Sequence, residues 1–248
     1  MNARTYAATV RRVLAQLVAD RRTLALIMAV PTALLTLLYF VYYDYPGAGA
    51  LFNRIAVSMM AILPMIVMFL VTSVTMLRER GSGTLERLWT TPLHRADLLL
   101  GYATAFTTTV VGQSLVLCAV AAWFLDVEIA GSWAWVILTA LIDGFLGVAM
   151  GLFVSAFART EFQAVQFMPV VVGPQIFLCG LLVARDQLPR VLALCSNVLP
   201  MSWAVDAVGE LAANETPTAD FTADLALLAA VGLAVLAVAA LTVPRRTR

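Results

Sequence analysis

The sequence predicts an all-α integral membrane protein, and three observations carry that prediction. Of 248 residues, 62% are hydrophobic and only 12% are charged, whereas a soluble domain has about 25% charged residues. The uncharged residues gather into runs long enough to cross a bilayer, whose core needs about 20 apolar residues per helix. The basic residues are all arginine and collect at alternate connections. A chain of this size cannot hide so much apolar surface from water, since even a domain of about 300 residues leaves roughly a quarter of its unfolded surface exposed. The solvent must be lipid. A transmembrane barrel would read as segments of about ten alternating residues, and no run here alternates.

The elements follow in chain order. Within residues 1–22, Tyr6, Val10, Val13, Leu14 and Leu17 recur at helical spacing, with Arg4, Arg11 and Arg12 elsewhere. That pattern suits an N-terminal helix lying in the membrane interface; an extension of the first span into water is the other reading. Uncharged runs then place six spans at about 23–43, 55–77, 98–125, 132–158, 162–184 and 225–244, in one transmembrane domain covering 23–244. Residues 245–248 form a tail. The fourth span is interrupted only by Asp143, and its Gly144, Gly147 and Gly151 lie on neighbouring turns, where small residues let helices approach closely. The first run is 21 residues long, follows five arginines and has no small-residue cleavage site before Asp44. A retained helix is therefore expected, and not a signal peptide.

Orientation follows from arginine. With the N-terminus inside, the inner segments hold thirteen arginines and the outer loops hold three, Arg54, Arg185 and Arg190. The positive-inside rule then predicts a multi-pass protein of the cell membrane with both termini cytoplasmic. No extended basic domain lies outside the membrane, which argues against a nucleic-acid partner. Cys118 and Cys179 fall within spans as small apolar residues, and Cys195 is expected to face outside. With no CxxC, no Cys/His cluster and one histidine, His94, no metal site of the usual ligand types is expected.

Two connections are long enough to hold structure of their own. The inner one, 78–97, is broken from the second span by Gly81 and Gly83, and Ser82 or Thr84 can cap a new helix. Leu85, Leu88 and Trp89 then form one apolar stripe at i, i+3 and i+4, and Pro92 ends the helix. The outer connection, 185–224, holds apolar stretches too short and too punctuated to cross, the pattern of re-entrant helices buried in protein.

The inner segment Glu79-Arg80-Gly81-Ser82-Gly83-Thr84-Leu85-Glu86-Arg87-Leu88-Trp89-Thr90-Thr91-Pro92 resembles a segment of the membrane subunits of type-2 ABC exporters, a class that includes drug-efflux, polysaccharide and lipid exporters. The resemblance extends over the chain: an interfacial N-terminal helix, six spans, a loop between the second and third spans, a proline-bearing fifth span and an outer re-entrant helical hairpin. That hairpin carries Asn197-Val198-Leu199-Pro200-Met201-Ser202-Trp203, also similar to the family. Many relatives have a basic residue soon after it, where Gly209 and Glu210 stand here. The resemblance implies a half-transporter in which two permease copies, identical or paralogous, form the pathway. Two separate ATPase subunits would bind ATP and Mg, and this chain, with no GxxxxGK[ST] loop, would bind no cofactor and catalyse nothing. It also implies that Thr84 to Thr91 is a cytoplasmic coupling helix docking on the ATPase. Leu85, Leu88 and Trp89 would be its packed face, and Glu79, Arg80, Glu86 and Arg87 its polar contacts.

In the family the second and fifth spans line a central cavity. Carried over, this implies lining by Met65, Met68, Phe69 and Thr72 in the second span, with Phe167, Met168, Gln175 and Phe177 in the fifth. Methionine suits such a wall because it is flexible and polarizable; plain helix packing or lipid contact is the competing reading. Asp143 is the lone intramembrane acid, costing about 2.5–3.5 kcal/mol on insertion scales. It reads either as a structural hydrogen-bonding group or as a functional one. The leading expectation is an ATP-driven exporter permease for a hydrophobic or amphipathic drug or lipid, of the antibiotic-resistance type. A proton-coupled secondary transporter using Asp143 is the alternative. An intramembrane enzyme is disfavoured, since one acid without an intramembrane histidine supplies no catalytic constellation.

Overall fold

The computed structural model describes residues 3–47, 49–84 and 95–242. Among them are nine α-helices and no strand. The first, α1 (Ala3–Ala19), is separated from α2 (Arg21–Tyr42) by Asp20, whose backbone leaves the helical region. The Asp20 carboxylate accepts from the Thr23 backbone N–H at 3.1 Å and so caps α2. The chain returns as α3 (Gly49–Gly81). At 1.5 Å per residue α3 is roughly 50 Å long, well beyond a core of about 30 Å, so its last turns project past the apolar layer. Helices α4 (Arg95–Phe124) and α5 (Trp133–Ser155) follow, the latter capped by Ser132. Then come α6 (Glu161–Leu178), capped by Thr160, the short α7 (Arg190–Ser196), α8 (Pro200–Ala213) and α9 (Ala219–Thr242).

Five helices are each long and apolar enough to cross a membrane, namely α2, α3, α4, α5 and α9. Helices α7 and α8, bent by 85° at their junction, form a broken span or a re-entrant pair. The helix of the expected fifth span, 162–184, is α6, and it stops at Leu178, short of the expected end. Gly180 takes a φ of +92°, a left-handed conformation open to glycine, and this turns the chain aside. Hydropathy runs on through Ala184 because it carries no information about that turn. Of the hairpin that follows, α8 is buried in protein, with Met201, Ala204, Ala207, Val208 and Leu211 inside the main apolar cluster, whereas α7 is exposed apart from Ala193 and Ser196. The Gln175 side-chain carbonyl accepts from the Met201 backbone N–H at 3.3 Å, pinning α8 to α6.

The centre of the molecule is the seam between α3 and α5. A Cβ on Gly147 would collide with the Met65 carbonyl oxygen and backbone, and one on Gly151 would sit 2.7 Å from the Phe69 carbonyl oxygen. On the adjoining face of α5, Gly144 gives the same close approach to Val110 of α4. The glycine ridge seen in the sequence is thus the contact that lets two backbones touch.

Charges sit at the two ends. At the arginine-rich end, α1 lays Thr9, Val13 and Leu17 inward, with Thr9 against Gly101 of α4. The apolar face of α1 is covered by protein, and only its other face is available to the interface. At the opposite end, Asn53 holds the α4–α5 connection by donating to the Glu128 carbonyl at 2.8 Å and accepting from its N–H at 2.7 Å.

Two outcomes follow for unfolding free energies in mixed detergent. Gly147→Val is expected to lose about 1–3 kcal/mol or more by overpacking, while Gly173→Ala, where a Cβ meets nothing within 4 Å, stays within about 0.5 kcal/mol. Arg12→Ala and Glu79→Ala, whose side chains pair at 3.4 Å between α1 and α3, are each expected to cost roughly 1.5–3 kcal/mol, and the double variant less than their sum.

Candidate functional site

The connection singled out by the sequence leaves α3 at Arg78-Glu79-Arg80-Gly81 and re-enters at α4. Its core, Leu85, Glu86, Arg87, Leu88 and Trp89, lies outside the described residues, as do 90–94. Its two flanks are described, and both are fastened. The Glu79 carboxylate is buried, accepting from Arg12 Nη1 at 3.4 Å and from Gln16 Nε2 at 3.2 Å. The Arg12 guanidinium also donates to the Tyr102 hydroxyl at 2.6 Å and stands over that ring at 5.6 Å, adding a cation–π contact. Arg80 donates to the Ser155 carbonyl at the end of α5. Arg78 forms a two-bond fork with Glu161 of α6, both bonds 2.9 Å, and this holds the Glu161 carboxyl below its ordinary range. On the α4 side, Asp97 is buried and accepts from the Thr5 hydroxyl at 3.0 Å. Thr84 shares a hydrogen bond with Ser82 at 2.9 Å.

Of the residues expected to be polar contacts for a docking partner, Glu79 and Arg80 are therefore turned into the chain itself. Sequence reading missed the partner of Glu79. The available signal was the helical stripe of α1: Arg12 and Gln16 are one turn apart, and Glu79 is the acid that ends the long second run.

The expected cavity residues divide. Met65, Met68, Phe69 and Thr72 are fully buried, the first and third beneath the glycines of α5. Gln175 is buried too, its amide N–H donating to the Val171 carbonyl at 2.9 Å. Phe167 and Met168 are half-buried, and Phe177 is exposed. Within one copy, then, most of this set is core. The open face of α6 runs through Phe162, Val165, Gln166, Pro169, Val170, Pro174 and Phe177, a stripe mixing aromatics, two prolines and an amide.

Asp143 sits midway along α5 with no exposed surface, and neither carboxylate oxygen has a hydrogen-bond partner among the described residues. It lies one turn before Gly147, on the side of α5 that meets α3, and within electrostatic reach of Cys179. Among the described residues no group of three His, Cys, Asp or Glu is placed to hold a metal.

At the opposite end the structure shows a feature that sequence reading did not isolate. An open chamber of about 1280 Å³ is lined by Asp126, Glu128, Asp206, Glu210, Asp220 and Asp224, with Arg54 and Arg185. Arg185 is paired to Asp206 and Asn197, and Arg54 donates to the Gly180 carbonyl at 3.4 Å. The signal was the distribution of acids: nine of the fifteen lie in the segments between spans at this end.

Comparison with known proteins agrees with this architecture. The family described as ABC-2 type transporter matches residues 4–211, well over half of the chain. Among curated proteins, ABC transporter G family member 20 of Dictyostelium discoideum is 28% identical over 141 residues, covering 57% of this chain and 19% of that protein. The protein named "Probable multidrug ABC transporter permease YbhR" of Escherichia coli (strain K12) is 30% identical over 132 residues, covering 53% of this chain and 36% of its own length. The linearmycin resistance permease protein LnrN of Bacillus subtilis (strain 168) is 26% identical over 146 residues, covering 59% and 38%. The chain thus spans less than half the length of each of these relatives. With the family match extending from α1 through α8, this chain belongs to the ABC-2 type transporter family, as a multi-pass membrane permease.

Proposed function

We propose that the chain is the membrane-spanning permease subunit of an ATP-driven exporter that moves a hydrophobic or amphipathic small molecule, a drug or a lipid, out of the cytoplasm or inner leaflet. In this reading the arginine-rich end is cytoplasmic. Two ATPase subunits, holding ATP and Mg, dock on the 78–97 connection through Thr84, Leu85, Glu86, Arg87, Leu88 and Trp89. A second permease copy, identical or paralogous, completes the pathway. The names of two relatives, a multidrug permease and a linearmycin resistance permease, support the substrate class.

The observation that carries the reading is the fastening of both flanks of this connection to neighbouring helices, Glu79 and Asp97 to α1 and Arg80 to the end of α5. A push on the loop reaches α3 directly. Because α3 touches α5 backbone to backbone, and Arg80 bonds the end of α5, the two helices tilt together. Such coupling needs nucleotide or substrate to bind one arrangement better than the other. The open stripe on α6 is poorly matched to lipid, since it carries Gln166, Pro169 and Pro174. It suits a wall facing the second copy, with Phe177 on it and the half-buried Phe167 and Met168 at its edge. Met65, Met68, Phe69 and Thr72 of α3, with Gln175 of α6, lie in the core of one copy, where they would meet a substrate only if the helices part.

The buried, unpartnered carboxylate of Asp143 favours one second reading, a carrier driven by a proton gradient. Reconstituted vesicles separate the two. Transport that requires ATP and a second protein removes the carrier; transport driven by a pH gradient with no ATPase, lost in Asp143→Asn, removes the exporter.

Co-purification is the first test: a protein with a Walker loop is expected to accompany the chain. In the reconstituted complex, Glu86→Arg, or Leu85→Asp with Leu88→Asp, is expected to leave insertion intact. Transport per ATP hydrolysed should fall by roughly 5–150-fold, the usual range of coupling free energies. Unchanged transport with normal substrate-stimulated ATP hydrolysis would overturn the coupling assignment.

A further inference from the structure

The two adjacent arginines of α1 point different ways. Arg12 is drawn inward to Glu79 and Tyr102, whereas Arg11 is exposed. Arg11 belongs to an exposed row, Arg4, Ala8, Arg11, Ala15 and Val18, spaced three or four residues apart along the side of α1 that the protein leaves uncovered. At the start of α2, Arg21 and Arg22 are exposed as well. Arg22 heads a second row at four-residue spacing, Leu26, Val30 and Leu34, which are 59%, 36% and 48% exposed on a membrane-spanning helix. One turn separates the guanidinium position from the first lipid-facing leucine, so Arg22 stands at the depth where acyl chains give way to headgroups.

Arg11, Arg21 and Arg22 take part in no ion pair among the described residues. The acid at the elbow, Asp20, accepts from the backbone N–H and hydroxyl of Thr23, the latter at 2.6 Å, and these bonds hold its carboxyl below its ordinary range, so three guanidiniums stand against one carboxylate and the region keeps a net positive charge. Arg21 and Arg22 at the rim of an exposed apolar row, with Arg11 on the uncovered side of the adjoining helix, match one partner in both charge and polarity, a phospholipid with an anionic headgroup whose chain lies along the row.

We propose that the outer face of the α1–α2 elbow, through Arg11, Arg21 and Arg22, binds the anionic headgroup of a bilayer phospholipid. The site requires only that α2 spans the membrane. Its consequence rests on the coupling reading above: α1 is also the helix whose Arg12 and Gln16 hold Glu79, so lipid bound on its outer face steadies the base of the 78–97 connection.

The test uses the full chain in neutral detergent, titrated with phosphatidylglycerol or phosphatidylcholine while the thermal midpoint and the lipid retained on the protein are measured. Phosphatidylglycerol is expected to raise the midpoint more than phosphatidylcholine, and salt to erode the difference by screening. Arg11→Gln/Arg21→Gln/Arg22→Gln is expected to keep the midpoint seen in detergent alone while weakening the apparent affinity for phosphatidylglycerol roughly 100-fold. Arg22→Gln alone should weaken it about fivefold, at the usual contribution of one arginine near an anionic surface. Arg190→Gln, exposed at the other end, should behave as the unaltered chain. Equal responses to the two lipids, or a triple variant that keeps its phosphatidylglycerol response, would overturn the site. So would a triple variant that loses only ATPase co-purification, which assigns the patch to a protein partner. Because lipid binding is read without nucleotide, a failure of ATP-dependent transport leaves this result standing and bears only on the coupling reading.

Discussion

The close contact of α5 on α3 is the constraint on which the rest of the structure depends. Inside a bilayer, helices gain little from burying apolar side chains against one another, because lipid tails are equally apolar; close packing has to supply the adhesion. Gly147 and Gly151 supply it by admitting the carbonyls of Met65 and Phe69 to the surface of α5. The consequence for α3 is mechanical. Pro64 removes one backbone donor from the helix and weakens it as an isolated rod, yet the proline lies one residue from the contact with Gly147 and is itself buried. Helix α5 splints α3 where α3 is weakest. Arg80 then closes the far end of the seam on the Ser155 carbonyl.

This splint explains why the polar bonds at the arginine-rich end are arranged as they are. Glu79 projects from the last turn of α3, beyond the glycine contacts, where a helix end would otherwise fray. Arg12 and Gln16 hold it from α1, and Tyr102 shares the guanidinium from α4. Three helices therefore meet at one carboxylate. Leaving that carboxylate buried without its guanidinium would be more costly than never having placed it there, so α1 is an integral part of the bundle end.

Much of this was legible in the sequence, and the limits follow from what each signal measures. Charge-free length located α2, α3, α4, α5 and α9, because a bilayer core imposes both length and composition. The glycine spacing 144, 147 and 151 marked the seam, since only a close neighbour rewards three small residues on one side. Hydropathy overran the end of α6, because Gly180 adopts a left-handed backbone that leaves no trace in polarity. Periodicity grouped Met65, Met68, Phe69 and Thr72 on related turns but said nothing of what covers them; α5 does, and most of an expected wall became core. The Arg12–Glu79 pair joins residues 67 positions apart, beyond the reach of any local pattern. The acid-lined chamber needed the fold of 185–224, whose turns decide which of the nine acids converge.

The two ends of the bundle consequently differ in what their charges do. At the arginine-rich end, Arg12, Arg78 and Arg80 are each bound to a group on a different helix, and the apolar faces beneath them are closed. At the other end, Arg185 secures the hairpin through Asp206 and Asn197, while Asp126, Asp220 and Asp224 line an open chamber without an ion pair among the described residues. Like charges around an open volume repel one another and are screened by water only while the volume stays wet. Closing that chamber therefore costs more than keeping it open, whereas parting the helices at the arginine-rich end requires breaking paired charges. A single copy at rest is accordingly held tight where the 78–97 connection attaches and loose where the hairpin lies.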